Sequence, residues 1–291
     1  MRGLLLAGGS GTRLYPTSRS VNKHLLPVFD KPLIYYPIST LIMAGIREIL
    51  VITNATDLLA FHKLLGDGSQ WGIRIQFAVQ PEPRGLADAF IIGRSFIRGE
   101  PTCLILGDNI LYAEGLISTL ERCASLSRGA KIFAYRVRDP RPYGVVTFSP
   151  DRRVTDIVEK PEHPPSNFAI PGIYFCDGDA ADLARDLSPS SRGELEITDL
   201  LRRYLDQGKL AVEVLGRGTA WLDAGTPEGL VQAINFIHAL ETRQDLRIGC
   251  PEEVAFRKGF IDARKVAELA SHCPNSGYGD YLARLSEECG S

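Results

Sequence analysis

Short apolar runs alternate with amphipathic stretches along the first half of the chain, the pattern of a sheet assembled from βαβ units. Leu4-Leu5-Leu6-Ala7 is apolar at every position, as a strand covered on both faces should be. A helix is predicted from Ile34 to Ala44, stopped by Gly45, then a strand from Glu48 to Thr53 and a helix over 57–65. Arg74 to Val79 is the next strand, Leu86 to Ile97 has helical periodicity, and Thr102 to Leu106 is another unbroken apolar strand. Residues 15–32 hold Pro16, Pro27 and Pro32 and read as ordered coil. A helix over 114–126 and a strand over 130–136 follow.

The pattern then changes. Residues 143–148, 153–159 and 171–176 are strand-like with no long helix between them, which predicts an antiparallel or mixed extension of the sheet. Residues 194–207 are helical, Leu210 to Leu215 is a strand, and 227–243 form a long helix with apolar positions at Leu230, Ile234, Ile237 and Leu240. The tail, 249–291, reads as helical and polar. The expected fold is α/β: a Rossmann-like mixed, mostly parallel sheet flanked by helices over 1–245, with a helical appendage over 246–291.

Composition narrows the class. The 291 residues are 44% hydrophobic and 23% charged, enough for a substantial core. A net charge of -2 shows no nucleic-acid footprint and no polybasic membrane patch. No run approaches the ~18 apolar residues of a membrane span. Cys103, Cys123, Cys176, Cys250, Cys273 and Cys289 are scattered, without a Cys-x-x-Cys pair. The apolar run after Met1-Arg2-Gly3 is too short for a signal peptide, so reduced thiols in a cytoplasmic protein are expected.

The candidate chemistry sits at strand ends, where open α/β sheets bind ligands. Gly8-Gly9-Ser10-Gly11-Thr12-Arg13 follows the first strand. Its glycines allow a tight turn with N–H groups close to a ligand, and Arg13 adds a cation shaped for phosphate. Leu14 stands where a dinucleotide fingerprint needs glycine, and the stretch has no Gly-Lys-Ser/Thr. Gln80 to Gly85 follows the third strand, Asp108-Asn109 the fourth, and Asp223 a late one. Each aspartate is read either as a turn former or as half of a Mg²⁺ site completed by phosphate oxygens. Glu159-Lys160 is either a solvated pair or a grip on a sugar phosphate. Lys23 lies in the coil, and His24 beside it is given no catalytic role, because chemistry at a phosphate, whether phosphoryl or nucleotidyl transfer, needs mainly positioning and charge neutralisation.

Taken together these stretches resemble the sugar-nucleotidyltransferases. The resemblance runs over nearly the whole chain: Leu6 to Leu14, Lys23 before Leu25-Leu26-Pro27, Lys31 to Pro37, Leu65 to Ser69, and Leu106 to Asn109. It continues through Tyr143 to Val146, Glu159-Lys160-Pro161, Arg192 to Asp199 and Trp221-Leu222-Asp223. The matches from Lys31 to Pro37 and from Arg192 to Asp199 point to the short thymidylyl-transferring branch.

The resemblance implies transfer of a thymidylyl group from dTTP to α-D-glucose 1-phosphate, giving dTDP-glucose and pyrophosphate, with Mg²⁺. It places the nucleotide over about 1–130 and the sugar phosphate over about 131–245. Gly8, Gly9, Ser10, Gly11, Thr12 and Arg13 would hold the triphosphate, Arg13 and Lys23 would offset the leaving pyrophosphate, and Leu6, Gln80 and Gly85 would receive thymine. Asp108 and Asp223 would hold the metal. Asn109, Tyr143, Gly144, Glu159, Lys160, Ile170, Thr198 and Trp221 would enclose the sugar phosphate, with Lys160 on its phosphate.

Family habit further implies a homotetramer, feedback-inhibited in some members by a downstream dTDP-sugar. Three positions depart from the pattern: Asn22-Lys23-His24 stands for Ser-Lys-Gln, Pro171 lies near the sugar pocket, and Ala224 replaces threonine. They leave open an amino- or deoxy-hexose phosphate. A UTP-using enzyme and a non-catalytic nucleotide-sugar binder are the other readings.

Overall fold

The computed structural model describes residues 1–9 and 11–288, so Ser10 and Cys289 lie outside the described residues. The chain opens with β1 (Arg2–Leu6). The coil expected over 15–32 is more structured than its prolines suggest. It holds short 3₁₀ turns at Thr17–Arg19 and Lys23–Leu25 and a hairpin of β2 (Pro27–Val28) and β3 (Lys31–Pro32). Then come α1 (Tyr35–Met43), β4 (Glu48–Thr53), α2 (Leu58–Leu65) and β5 (Arg74–Val79), close to the predicted bounds. The single helix predicted from Leu86 to Ile97 is two, α3 (Asp88–Ile92) and α4 (Arg94–Ile97), joined at Gly93. There the helix presses on the sheet so closely that a Cβ on Gly93 would stand 2.9 Å from Leu4 Cδ2.

β6 (Thr102–Leu106) runs into β7 (Asn109–Tyr112), a strand the apolar pattern did not announce. After α5 (Leu116–Ala124) and β8 (Ala130–Arg136) come β9 (Gly144–Phe148), β10 (Val154–Glu159), β11 (Phe168–Ala169) and β12 (Ile173–Cys176). Helix α6 (Ala180–Arg185) was also unforeseen; α7 (Ile197–Asp206), β13 (Leu210–Val214), β14 (Ala220–Asp223) and α8 (Pro227–Gln244) follow. The tail folds into α9 (Pro251–Arg257), α10 (Ala263–Ser271) and α11 (Gly277–Glu288).

Ten strands form one sheet in the order β10-β9-β11-β8-β12-β6-β1-β4-β5, with β13 pairing β8. Its β6-β1-β4-β5 half is parallel, and β12 joins it antiparallel to β6, beginning the mixed extension that the second half predicted. The sheet is covered on both faces. Leu5, Val51 and Ile105 face a core with α1, whereas Leu4, Leu6, Leu50 and Leu104 face a second core with α3 and α7. Successive strand residues point to opposite faces, so both must be apolar, and the runs do not alternate.

The tail is helical, as expected, and one end of it is anchored in the body of the fold. Pro251 to Ala255 are buried, α9 packs on α1, and Trp71 Nε1 donates to Glu252 Oε1 at 3.0 Å. Apolar residues on one face of each tail helix close a small core of Cys250, Val266, Tyr281, Leu282 and Leu285. The five described cysteines are free thiols. No described helix is long and apolar enough to cross a membrane.

A buried charge quartet ties α8 and the segment after it to the β2–β3 hairpin. Lys31 Nζ lies 3.1 Å from Glu241 Oε1 and 2.5 Å from Asp30 Oδ1, and Arg247 bridges Glu241 at 2.6 Å and Asp30 at 3.0 Å. The Glu241 side chain is 0% exposed. Removing one member of such a network strands the others without compensation, which costs about 3–5 kcal/mol. Glu241→Ala is therefore expected to lower the unfolding free energy by about 3–5 kcal/mol in urea melts. A loss within experimental error would show that Asp30 alone neutralises both cations.

Candidate active site

The site begins where β1 leaves the middle of the parallel half. Gly9 and Gly11 have φ of 95° and 59°, the left-handed region that glycine enters without strain, and Ser18 Oγ donates to the Gly11 carbonyl at 2.6 Å. Thr12–Leu14 then forms a 3₁₀ turn that carries Arg13 to the rim. Leu6, Gly8, Gly9, Gly11 and Thr12 thus stand at the carboxyl end of β1, and Gln80 stands at the same end of β5. Gly85 has φ of 110° and packs on the chain before α7, where a Cβ would meet the Leu195 carbonyl at 2.4 Å.

Lys23 reaches the site because its neighbours are pinned. Asn22 Nδ2 donates to the Ala7 carbonyl at 3.2 Å and to Asp57 at 2.6 Å, and Asn22 Oδ1 accepts from the His24 backbone at 3.0 Å. His24, 2% exposed, has Nδ1 3.1 Å from the Ala7 carbonyl and 2.8 Å from Asn22 Oδ1. Two acceptors at one nitrogen make it the protonated one. Burial first, and then the Lys23 charge, push His24 down to about 3, so the ring is neutral and structural. Gly107 lies against it with no room for a Cβ, which would stand 2.5 Å from His24 Cδ2.

The ammonium of Lys23 pairs with Asp108 at the end of β6. Burial would raise this carboxyl, but Lys23, His24 and the hydrogen bonds from Lys23 and Asn109 outweigh it and hold Asp108 at about 2. Asp223 arrives from β14, which pairs antiparallel with β7 and sets Asp223 opposite Asn109. The Ala224 N–H also donates to the Asp108 carbonyl at 3.0 Å. Asp223 Oδ1 and Asp108 Oδ2 lie 2.9 and 3.0 Å from the point where a Gly225 Cβ would stand, so the carboxylates converge over a glycine. Burial and then the Asp108 charge push Asp223 up. Among the described residues no group of three or more His, Cys, Asp or Glu forms a protein-only metal cage.

Beside this pair opens a cavity of about 280 Å³ lined by Arg13, Asp108 and Asp223, and by all eight residues expected around the sugar phosphate: Asn109, Tyr143, Gly144, Glu159, Lys160, Ile170, Thr198 and Trp221. Lys23, Gln80 and the glycine loop lie outside its lining. Trp221 packs against Tyr143 with ring centroids 4.9 Å apart and planes inclined at 59°, so it is core on one side and cavity wall on the other. Asn109 Oδ1 accepts from Trp221 Nε1 at 2.7 Å and from the Gly172 N–H at 2.9 Å, and its Nδ2 donates to Asp108 at 3.1 Å. Asn109 therefore braces the wall as much as it faces the cavity. Thr198 Oγ1 is buried without a hydrogen bond of ordinary geometry, close to Glu159.

Glu159 and Lys160 both line the cavity, with the Lys160 side chain 34% exposed. They lie 3.4 Å apart, and Lys160 sits at φ 38°, with its N–H donating to the Tyr143 carbonyl at 3.1 Å. Burial pushes the Glu159 carboxyl up. Arg192 completes this wall, 3.6 Å from Glu159, 3.4 Å from Glu196 and 3.3 Å from Glu194. No role was assigned to Arg192, Glu194 or Glu196 from the sequence, although all three lie in the Arg192–Asp199 stretch that carried much of the resemblance.

A glycine turn after β1, paired carboxylates over a glycine and a cleft of about 280 Å³ with Arg13, Lys160 and Arg192 in its wall suit a nucleotide-processing α/β protein of the sugar-nucleotide type. The sequence model of the nucleotidyl transferase family matches residues 2–239, and the chain belongs to that family. The glucose-1-phosphate thymidylyltransferase of Xanthomonas campestris pv. campestris is 54% identical over 98% of this chain and 97% of its own. A Bacillus anthracis protein solved in complex with sucrose superposes with a TM-score of 0.75 at 36% identity, over 81% of this chain and 94% of that one. UDP-glucose pyrophosphorylase complexed with UDP-glucose gives 0.71 at 26%, over 82% and 98%.

The neutral His24 yields a direct check. Because its folded value lies below the ordinary 6.5, it contributes stability that is complete above about pH 6.5 and is lost as the pH falls toward 3. In two-dimensional ¹⁵N NMR its ring is expected to remain the neutral Nδ1–H tautomer from about pH 8 to 5. A midpoint near 6.5 would mean that the ring is not held as described.

Proposed function

We propose that the chain transfers the thymidylyl group of dTTP to α-D-glucose 1-phosphate, releasing pyrophosphate and leaving dTDP-glucose. The convergence of Asp108 and Asp223 between a phosphate turn and a cation-walled sugar cleft carries this reading. The near-complete coverage of a thymidylyltransferase at 54% identity supports it. The nucleotide is assigned to the parallel half and the sugar phosphate to the antiparallel half.

The backbone N–H groups from Gly8 to Thr12, with Arg13, hold the triphosphate. Ser10, placed in this set from the sequence, lies outside the described residues. Leu6, Gln80 and Gly85 take the thymine. Lys160 and Arg192 draw the sugar phosphate into the cleft, where its oxygen lines up with the α-phosphorus on the face opposite the departing pyrophosphate. Arg13 and Lys23 offset the charge that builds on that leaving group. Two converging carboxylates suit Mg²⁺, which typically keeps one or two carboxylates and takes its other oxygens from phosphate and water. When bound, the metal neutralises the developing charge on the phosphoryl oxygens. The metal-ligand role of Asp108 requires Lys23 to shift from the carboxylate toward the phosphates.

The likeness to UDP-glucose pyrophosphorylase favours one second reading, the use of UTP. One methyl in a pocket discriminates by roughly 10–200-fold. Pyrophosphate release measured with dTTP, UTP and a panel of sugar 1-phosphates separates the two. dTTP with glucose 1-phosphate is expected to give a kcat/KM at least about tenfold above UTP; a preference for UTP would overturn the thymidylyl assignment.

Asp108→Asn and Asp223→Asn are each expected to lower kcat by two or more orders of magnitude at saturating Mg²⁺. Near-normal turnover in both variants would remove these residues from the metal site.

A further inference from the structure

We infer that Asp88 is a positioning residue that locks the amide of Gln80 in one orientation, and so sets the hydrogen-bonding face offered to the nucleobase. The inference rests on the assignment of Gln80 to the base.

Asp88, the first residue of α3, is 1% exposed, and Gln80 is 7% exposed. Asp88 Oδ2 accepts from Gln80 Nε2 at 3.0 Å, while Asp88 Oδ1 is held by Arg84 at 2.5 Å. An ionised carboxylate only accepts, so the amide atom that meets it must be the NH₂ group. Gln80 Oε1 is thereby turned the other way, toward the phosphate turn: it lies 3.1 Å from where a Cβ on Gly8 would stand. Reversing the amide would set two buried acceptors against each other, an unpaired arrangement that low-dielectric surroundings penalise.

The consequence is chemical. With one N–H given to Asp88, Gln80 still offers Oε1 as an acceptor and its second N–H as a donor. That face matches the imide edge of thymine or uracil, whose N3–H donates and whose O4 accepts. The corresponding edge of cytosine has the reverse pattern: N3 accepts and the exocyclic amine donates. A freely flipping glutamine serves both edges. One pinned by Asp88 serves only the imide. The class of base accepted at this site is thus decided by a residue that need not touch it. Arg84, 54% exposed at its side chain, keeps Asp88 occupied as an acceptor from the solvent side.

Asp88→Asn keeps the shape but lets its own amide turn to suit either orientation of Gln80. The ratio of kcat/KM for dTTP to that for dCTP, with glucose 1-phosphate and Mg²⁺, is expected to fall at least about tenfold in this variant. The fall should come from an absolute gain with dCTP, and dissociation constants for the two nucleotides should shift in the same sense. Asp88→Ser, smaller and neutral, is the second variant should Asp88→Asn melt too early to assay. Equal losses with both nucleotides, leaving the ratio unchanged, would reduce Asp88 to a structural part and overturn the inference. Gln80→Ala separates this from failure of the base assignment. If Gln80→Ala moves the ratio and Asp88→Asn does not, the lock alone is wrong. If Gln80→Ala leaves both the ratio and the dTTP KM unchanged, Gln80 does not read the base and both ideas fall.

Discussion

The antiparallel pairing of β14 with β7 is the contact on which the site depends. It joins two segments more than a hundred residues apart and sets Asp223 opposite Asn109, one residue from Asp108. The same pairing places Trp221 where its indole nitrogen reaches Asn109, so one ladder positions the acidic pair and the aromatic wall together. A side chain's face alternates along a strand, so a slip of one residue in this register would turn Asp223 away from Asp108 and Trp221 out of the cavity. The α8 segment after β14 reinforces the register, because the Gly225 N–H donates to Asp223 Oδ1 at 2.9 Å and Thr226 caps the helix through the Gly229 N–H.

The electrostatics of the pair are unequal. Asp108 is compensated by Lys23 and lies low, whereas Asp223 is raised by burial and by its neighbour's charge. The two therefore hold more negative charge than their surroundings neutralise, a condition that a cation bound between them relieves. The opposite wall mixes signs. Lys160 and Arg192 face Glu159, Glu194 and Glu196, so in the proposed reading a sugar phosphate would meet cations already held in place and would exchange with their carboxylate partners. Pre-placed cations of this kind need little reorganisation when a charged group arrives.

Much of this was legible in the chain. The central parallel strands β1 and β6 announced themselves because burial on both faces leaves almost no polar position, and β4, β5 and β8 also fall where strands were expected. The strand-end residues Asp108, Gln80 and Asp223 could be singled out because the connections of an α/β sheet gather at one edge. Elements of few residues were not legible. β7 and β11 owe their strand geometry to partners distant in sequence, and α6 is too short to show a period. The tail is helical as expected, and what its polar composition did not show is the narrow apolar side by which its helices pack against α1 and one another.

The sequence by itself determined the order of the longer strands and helices, the glycine turn after β1, and the identity of the charged groups at the strand ends. These follow from local chemistry: which residues tolerate water, which allow positive φ, and which carry charge. Tertiary structure alone decided what those groups face. It made His24 a neutral strut by burying it under Gly107, set Glu159 and Lys160 along the cavity, recruited Arg192 to them, and set Asp88 against Gln80. Each of those outcomes depends on burial and on distances between residues far apart in the chain, and neither quantity is a property of a segment alone.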